Sequence, residues 1–290
     1  MKNITSARIS QLLFLALFLV MFLMTEYRGS DRLGAAVNAF FRANPLTFAT
    51  TLLATKGWVP LLFPGALVLV LSALLGRFFC GWICPLGTVL DLVTGRIRKT
   101  QPLSWLKGRV KYWLLLPLLA AALLDLNLAG LFDPIAILVR ALTFFVHPLV
   151  GDTARSGWVG LYRLLGDRRD MLEPGYRLLR DYLLPFRETL YPLAFLSALV
   201  FVLIIFLERY ESRNWCRNLC PLGTLLGILA RLSPFSRVPA GLCDDCRGCA
   251  GRCTTFEREL LQKEACLLCL DCQLRCPHQR VRFRLAGFTP

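Results

Sequence analysis

Apolar residues gather in four long runs, Ile9–Met24, Trp58–Leu75, Tyr112–Phe132 and Leu190–Leu207. A bilayer core is crossed by about 20 apolar residues in helical form, so each run predicts a transmembrane helix. The first resembles the core of a signal peptide, but it lacks a clear small-x-small cleavage site and further runs follow, so it reads as an anchor. After Leu207 the chain turns polar, basic and rich in cysteine. That change marks the main boundary. Residues 1–207 form a predicted four-span membrane domain, 208–237 a connector, and 238–290 a small C-terminal domain.

Basic residues orient the spans. Lys2 and Arg8 precede the first; Arg96, Arg98, Lys99, Lys107 and Arg109 lie between the second and third; Arg209, Arg213 and Arg217 follow the fourth. With four spans all three groups fall on one side, the cytoplasmic side of an inner membrane, together with the N-terminus and the tail. The ambiguous run Asp133–Val150, bounded by Pro134 and Pro148, then reads as a re-entrant or surface helix, and 151–189 as a solvated external segment. Trp58, Trp113 and Trp158 suit the membrane interface.

A repeat is visible inside the chain. Arg77-Phe-Phe-Cys80-Gly-Trp-Ile-Cys84-Pro-Leu-Gly-Thr88 matches Arg213-Asn-Trp-Cys216-Arg-Asn-Leu-Cys220-Pro-Leu-Gly-Thr224, with seven identities in twelve columns. Each copy follows the second span of a pair, so the spans read as a duplicated helical hairpin. The expected fold is an all-α membrane protein of four helices carrying a ferredoxin-like tail.

Mean hydropathy is +0.54 and net charge +15. Charge of that size in a soluble chain would suggest nucleic acid. Here it follows from membrane orientation, and no basic stripe interleaved with aromatics stands apart from the spans.

The cysteines carry the chemistry. Eight of the twelve lie in the tail, as Cys243-x2-Cys246-x2-Cys249-x3-Cys253 and Cys266-x2-Cys269-x2-Cys272-x3-Cys276-Pro277. This is the spacing of bacterial two-cluster ferredoxins, in which the fourth cysteine of each run ligates the other cluster. Cys243, Cys246, Cys249 and Cys276 are therefore assigned to one [4Fe–4S] cluster, and Cys266, Cys269, Cys272 and Cys253 to a second. Zinc would use four ligands in two pairs. Two features depart from the pattern: Thr254 stands where a proline is usual after Cys253, and the linker Thr254–Ala265 reads as helical, leaving no hairpin between the motifs.

Cys80, Cys84, Cys216 and Cys220 form two Cys-x3-Cys-Pro motifs. Residues at i and i+4 share a helix face, and a following proline suits the first turn of a new helix. If a pseudo-two-fold axis relates the halves, the four thiols converge on a further metal centre; a dithiol redox role and simple packing of small apolar residues are the other readings. Asp125, Asp133, Arg140 and His147 are candidates for binding a quinone head group and its protons, against plain interfacial exposure. Asn127 lies beside Asp125 in the same stretch. Two histidines exclude a bis-histidine haem of any ordinary placement, no Cys-x2-Cys-His haem attachment site is present, and no nucleotide fingerprint occurs.

The spans, the paired Cys-x3-Cys-Pro-Leu motifs, the Asp133–Arg140 segment and the paired-cluster tail together resemble the NapH-type membrane ferredoxins. That family is related to maturation proteins of nitrous-oxide reductase and cytochrome oxidase. The resemblance implies electron exchange between the quinol pool and a partner iron–sulfur or multihaem protein, as a quinol dehydrogenase subunit, with quinone as substrate. The alternative is a copper reductase or maturation factor holding its ion on the four membrane cysteines, since soft thiolates suit Cu(I). A redox-sensing regulator is a third reading, for which the chain offers no effector module.

Overall fold

The computed structural model describes residues 6–25, 37–94, 110–165, 173, 175–176, 194–210, 213–239, 256–257, 260–261, 263–274 and 281–285. The first repeat opens with α1 (Ser6–Met24), followed by α2 (Asn38–Arg42), α3 (Pro45–Thr55) and α4 (Phe63–Leu75). The short α5 (Phe78–Trp82) carries Cys80, and α6 (Pro85–Thr94) closes the unit. The second repeat runs through α7 (Val110–Leu123), α8 (Ala129–Phe132), α9 (Pro134–Ala141), a π turn at Leu142–Val146 and α10 (His147–Leu165). It ends with α11 (Ala194–Leu207), a π turn at Trp215–Leu219 carrying Cys216, and α12 (Pro221–Ala230).

The two halves interlock. In the first, α6 packs on its own α1 and on α9 of the second; in the second, α12 packs on its own α7 and on α3 and α4 of the first. Both α3 and α9 begin with a buried polar cap before proline. Asn44 accepts from the Leu46 amide at 2.9 Å, and Asp133 accepts from the Ala136 amide at 3.0 Å. The two caps meet: Asn44 Nδ2 donates to Asp133 Oδ1. Each cap satisfies amides that a helix start leaves without partners. The buried core gathers around this meeting point and includes Leu86, Leu90, Ile135, Leu138, Leu222 and Leu226 with all four repeat cysteines.

By length and composition, two helical runs among the described residues are able to cross a membrane, Ser6–Met24 and Pro134–Arg163. The outer faces of α1, α4, α7 and α11 expose large apolar side chains, including Leu13, Val70, Leu116 and Phe195. An apolar surface of that extent requires a lipid or protein covering.

Three expectations are corrected. The predicted third span, Tyr112–Phe132, is not one helix: α7 ends at Leu123, and Asp125 takes a left-handed φ of 62° before α8 starts. The run Asp133–Val150 does not end at Pro148. Helix continues through it to Leu165, because the preceding π turn takes up the register change that a proline imposes inside a helix. Among its described residues, the linker between the tail motifs is helical only in the single 3-10 turn Lys263–Ala265. Strands β2 (Phe256–Glu257) and β3 (Leu260–Leu261) pair as a hairpin, with Phe256 opposite Leu261. A helix this short is marginal on its own, whereas a hairpin returns the chain from one cysteine motif to the next.

The tail is framed by a two-stranded antiparallel ribbon. Strand β1 (Phe235–Pro239) pairs with β4 (Val281–Leu285), placing Phe235 opposite Leu285. Phe235 and Phe283 stack at 5.8 Å on this ribbon.

Candidate functional site

Cys80 sits within α5, and Cys216 in the corresponding π turn. Cys84 and Cys220 do not share those turns; each stands immediately before the proline that starts the next helix. Cys220 is the N-cap of α12, its sulfur accepting from the Gly223 amide at 3.4 Å. The Gly87 amide serves Cys84 in the same way. A sulfur in this position faces the positive end of a helix, which favours thiolate.

All four thiols are buried, and each lies within electrostatic reach of the other three. The interlocking of the repeats therefore brings Cys80, Cys84, Cys216 and Cys220 to one place. Among the described residues no group of three or more His, Cys, Asp or Glu is placed to hold a single metal ion. A zinc–thiolate bond of about 2.3 Å would draw the sulfurs to within about 4 Å of one another.

Two arginines hold the motifs together, and each crosses to the other repeat. Arg77 donates through Nη2 to the Cys216 carbonyl at 2.6 Å; Arg213 donates through Nη1 to the Cys80 carbonyl. Both are almost wholly buried. Arg213 also grips Asp91 with a two-pronged contact, Nε to Oδ1 at 2.7 Å and Nη2 to Oδ2 at 2.5 Å. It holds a left-handed φ of 54°, with its amide bound to the buried Glu208 carboxylate at 2.5 Å. Gly223 makes room for Arg77, since a Cβ there would stand 2.6 Å from its Nη2 and 2.4 Å from the Cys216 carbonyl.

The second tail motif rests on this assembly. Trp82 Nε1 donates to the Leu268 carbonyl at 3.0 Å, and Arg77 Nη1 to the Glu264 carbonyl at 2.7 Å. A Cβ on Gly81 would lie 1.9 Å from the Leu267 carbonyl, so only glycine permits the approach. The Glu264 carboxylate receives Tyr112 at 2.9 Å and Lys111 at 3.2 Å, and Arg231 at 2.5 Å. Burial alone would raise its pKa, but the hydrogen bonds from Tyr112, Arg231 and Lys111 outweigh that and hold it below the ordinary carboxylate range. Arg213 interacts electrostatically with both Cys216 and Cys269.

Cys266 and Cys269 lie on a loop in which Leu268 and Leu270 have φ of 52° and 60°, and Cys272 follows in the one-turn helix Asp271–Leu274. Left-handed residues alternating in this way turn backbone N–H groups toward one concavity, a form common at iron–sulfur sites. The chemistry of the donor set fits an iron–sulfur cluster. Cys243, Cys246, Cys249, Cys253 and Cys276 lie outside the described residues.

The four quinone-site candidates are not gathered. Asp133 is buried, within electrostatic reach of Arg140, Cys84 and Cys220. Arg140 donates to the Gly130 carbonyl at 2.8 Å. Asp125 stands on an exposed turn 3.9 Å from Lys56, and His147 packs edge-on against Phe22. The functional residues not singled out from sequence are Arg77, Arg213, Asp91, Gly81 and Glu264. The arginines were within reach, being one of the identical columns of the repeat.

Comparisons with known proteins agree with this centre. Residues 57–111 and 190–239, which contain the two Cys-x3-Cys-Pro motifs, match the family described as a 4Fe-4S binding domain. YccM of Escherichia coli is 30% identical over 217 residues, covering 72% of this chain and 51% of YccM. The methylamine utilization ferredoxin-type protein MauN of Paracoccus denitrificans is 29% identical over 69% of this chain and 57% of its own. The ferredoxin-type protein NapH of Haemophilus influenzae is 26% identical over 85% of this chain and 72% of its own. The chain thus spans little more than half the length of the first two. No solved structure matches it. Duplicated cysteine motifs, a cluster-binding signature on both copies and this set of relatives make the chain a member of the NapH-type family of 4Fe-4S ferredoxin-type proteins.

Proposed function

We propose that this protein passes electrons between the quinol pool of a cytoplasmic membrane and a partner redox protein, through two [4Fe–4S] clusters in its tail. The observation that carries the reading is the seating of the Cys266–Cys272 loop on the repeat cysteines, through Trp82, Gly81 and Arg77. A mobile carrier would not need its cluster loop fastened to apolar helices. Fastening supports a fixed route from the apolar body to the tail.

In the quinol-oxidising direction, one quinol gives two electrons and two protons and leaves as quinone. The clusters, when bound, accept one electron each, so the electrons move singly. Asp133 is the residue assigned to proton exchange, being a carboxyl group buried beside Cys84 and Cys220. The membrane setting rests on Ser6–Met24, Pro134–Arg163 and the exposed apolar faces. Multi-pass topology, with the N-terminus and tail in the cytoplasm, rests on the distribution of Lys and Arg.

The test uses the full chain, anaerobic and reconstituted in proteoliposomes. Decylubiquinol is added and the visible absorbance of the clusters followed, with dithionite as the control. Bleaching by quinol is expected. Bleaching by dithionite with none by quinol, at any quinol potential tried, would overturn the quinol reading.

A further inference from the structure

We infer that the two buried arginines of the repeat are electrically unequal, and that Arg77, the one left without a carboxylate, raises the reduction potential where the repeat cysteines meet the tail loop. Arg213 does so far less, because Asp91 offsets it. The inference rests on the iron–sulfur reading of this chain and not on its partner or on quinol.

The repeat register that sets Cys80 against Cys216 also sets Arg77 against Arg213 and Asp91 against Gly227. Both arginines make the same contact to a cysteine carbonyl of the other copy. There the likeness ends. Arg213 gives Nε and Nη2 to the Asp91 carboxylate at 2.7 and 2.5 Å. Gly227 has no side chain to offer in return. Arg77 Nε is accordingly buried without a hydrogen-bond partner among the described residues. Among those residues no carboxylate forms an ion pair with Arg77 either. A Cβ on Gly227 would stand 3.8 Å from Arg77 Cδ and 3.0 Å from the Glu264 carbonyl. The tail therefore occupies the place that a second carboxylate would need, and Arg77 Nη1 donates to its Glu264 carbonyl at 2.7 Å.

The charge that this leaves is large. Arg77 is 1% exposed, and a buried charge is costly unless an opposite charge lies near. The Glu264 carboxylate is already shared by Lys111 and Arg231. What remains close to Arg77 is the redox chemistry on either side. Its guanidinium joins the carbonyl of Cys216 to that of Glu264, two residues before Cys266. A cubane with four thiolates is net negative, so an unoffset cation and an idle donor fit a neighbour of that kind.

Net charge and hydrogen bonding nearby set the potential of an iron–sulfur centre. A positive neighbour favours the reduced state, which is the more negative one, and the effect is strong where water is excluded. Arg213 reaches Cys216 and Cys269 electrostatically, but its charge is matched by Asp91. Arg77 is not matched. Space for the tail explains the glycine at 227. It does not discharge the cation that the glycine leaves behind, and that cation sits on the tail side of the junction.

The experiment is a redox titration followed by electron paramagnetic resonance, on the full chain reconstituted anaerobically, with iron and acid-labile sulfide per chain to check loading. Arg77→Gln should lower the midpoint of at least one cluster signal. The expected size is about tenfold in the ratio of reduced to oxidised centre, which is about 59 mV for one electron. Arg77→Lys keeps the charge and should leave that midpoint in place. Asp91→Asn uncovers Arg213 and should move a midpoint upward by a similar factor. A clamp that only holds the fold would not give opposite signs for Arg77→Gln and Asp91→Asn. Unmoved midpoints, shifts of the same sign in those two variants, or an Arg77→Lys shift equal to that of Arg77→Gln would overturn the inference. Should Arg77→Gln fail to assemble, Asp91→Asn decides alone, since that side chain is 38% exposed and its replacement disturbs little; the absence of an upward shift then overturns the inference. Wild-type protein with no cluster signal at all would fail the iron–sulfur reading itself, which is a distinguishable result.

Discussion

Arg213, in the second repeat, reaches into the first to donate to the carbonyl of Cys80. Arg77 returns the contact to Cys216. The exchange means that neither cysteine motif is shaped by its own repeat alone. Each is completed by a cation from its twin, so the two halves must dock before the four thiols share a site.

Arg213→Ala would strand Asp91 and leave the Cys80 carbonyl without its donor in a buried setting. Asp91 keeps 38% of its side chain exposed and can turn to water, so the loss comes mainly from the unsatisfied Cys80 carbonyl and is about 1–3 kcal/mol. Arg213→Lys is expected to recover only part, since an ammonium cannot bind both Asp91 oxygens in the plane of a guanidinium. Thermal unfolding of detergent-solubilised protein checks the order wild type, then Lys, then Ala. Equal stability of all three would contradict the cross-repeat clamp.

Gly81→Ala tests the seating of the tail. Its new Cβ would collide with the Leu267 backbone at 1.9 Å, and overpacking of this kind costs about 1–3 kcal/mol. Iron content should stay unchanged, because Gly81 has no side chain to ligate iron, and the contact that its carbonyl accepts from Gln11 at 2.6 Å is made by backbone alone. Limited proteolysis between the apolar body and the tail should accelerate by about five- to a hundredfold if that cost falls on docking alone. Unchanged proteolysis would show that Leu267 does not rest there in solution.

Glu264 gives the docking a pH dependence with a definite sign. Its folded pKa is lowered, so it contributes stability that is present above its unfolded value and lost as pH falls through the lowered folded one. Tail release, followed by the same proteolysis, should therefore rise on acidification through the carboxylate range. Glu264→Gln should release more readily at neutral pH and show little further change in that range. A variant that titrates like the wild type would assign the dependence to another group.

The caps of α3 and α9 are coupled. Asn44→Ala removes the cap of α3 and one donor to buried Asp133 at once. A lost cap costs about 1 kcal/mol, and an unsatisfied buried group about 1–3 kcal/mol. Asp133→Asn should be milder, because an amide still accepts from Ala136. Unfolding midpoints that reverse this order would mean that the Asn44–Asp133 contact contributes little.

Much of the chemistry was legible in the chain. Cluster motifs are local: spacing along the backbone dictates which sulfurs meet, so the tail runs and the two Cys-x3-Cys-Pro copies stood out directly. The apolar runs were also plain, because helix burial is written as a block of residues. Where the reading failed, local propensity met a tertiary demand. The Phe256–Leu261 stretch has helix-forming residues, yet it pairs as a hairpin between two cysteine motifs. Helix through Pro148 depends on a π turn that hydropathy does not reveal.

The sequence by itself determined which cysteines recur at cluster spacing and the duplication that places Cys80 with Cys84 and Cys216 with Cys220, since these are properties of residue type and spacing. Only the tertiary structure decided that the two pairs come together, that Arg77 and Arg213 cross between repeats, and that the tail is seated on Gly81 and Trp82. Those contacts join residues more than 130 positions apart. No local pattern specifies such pairs, because they depend on how two amphipathic units bury their faces against each other.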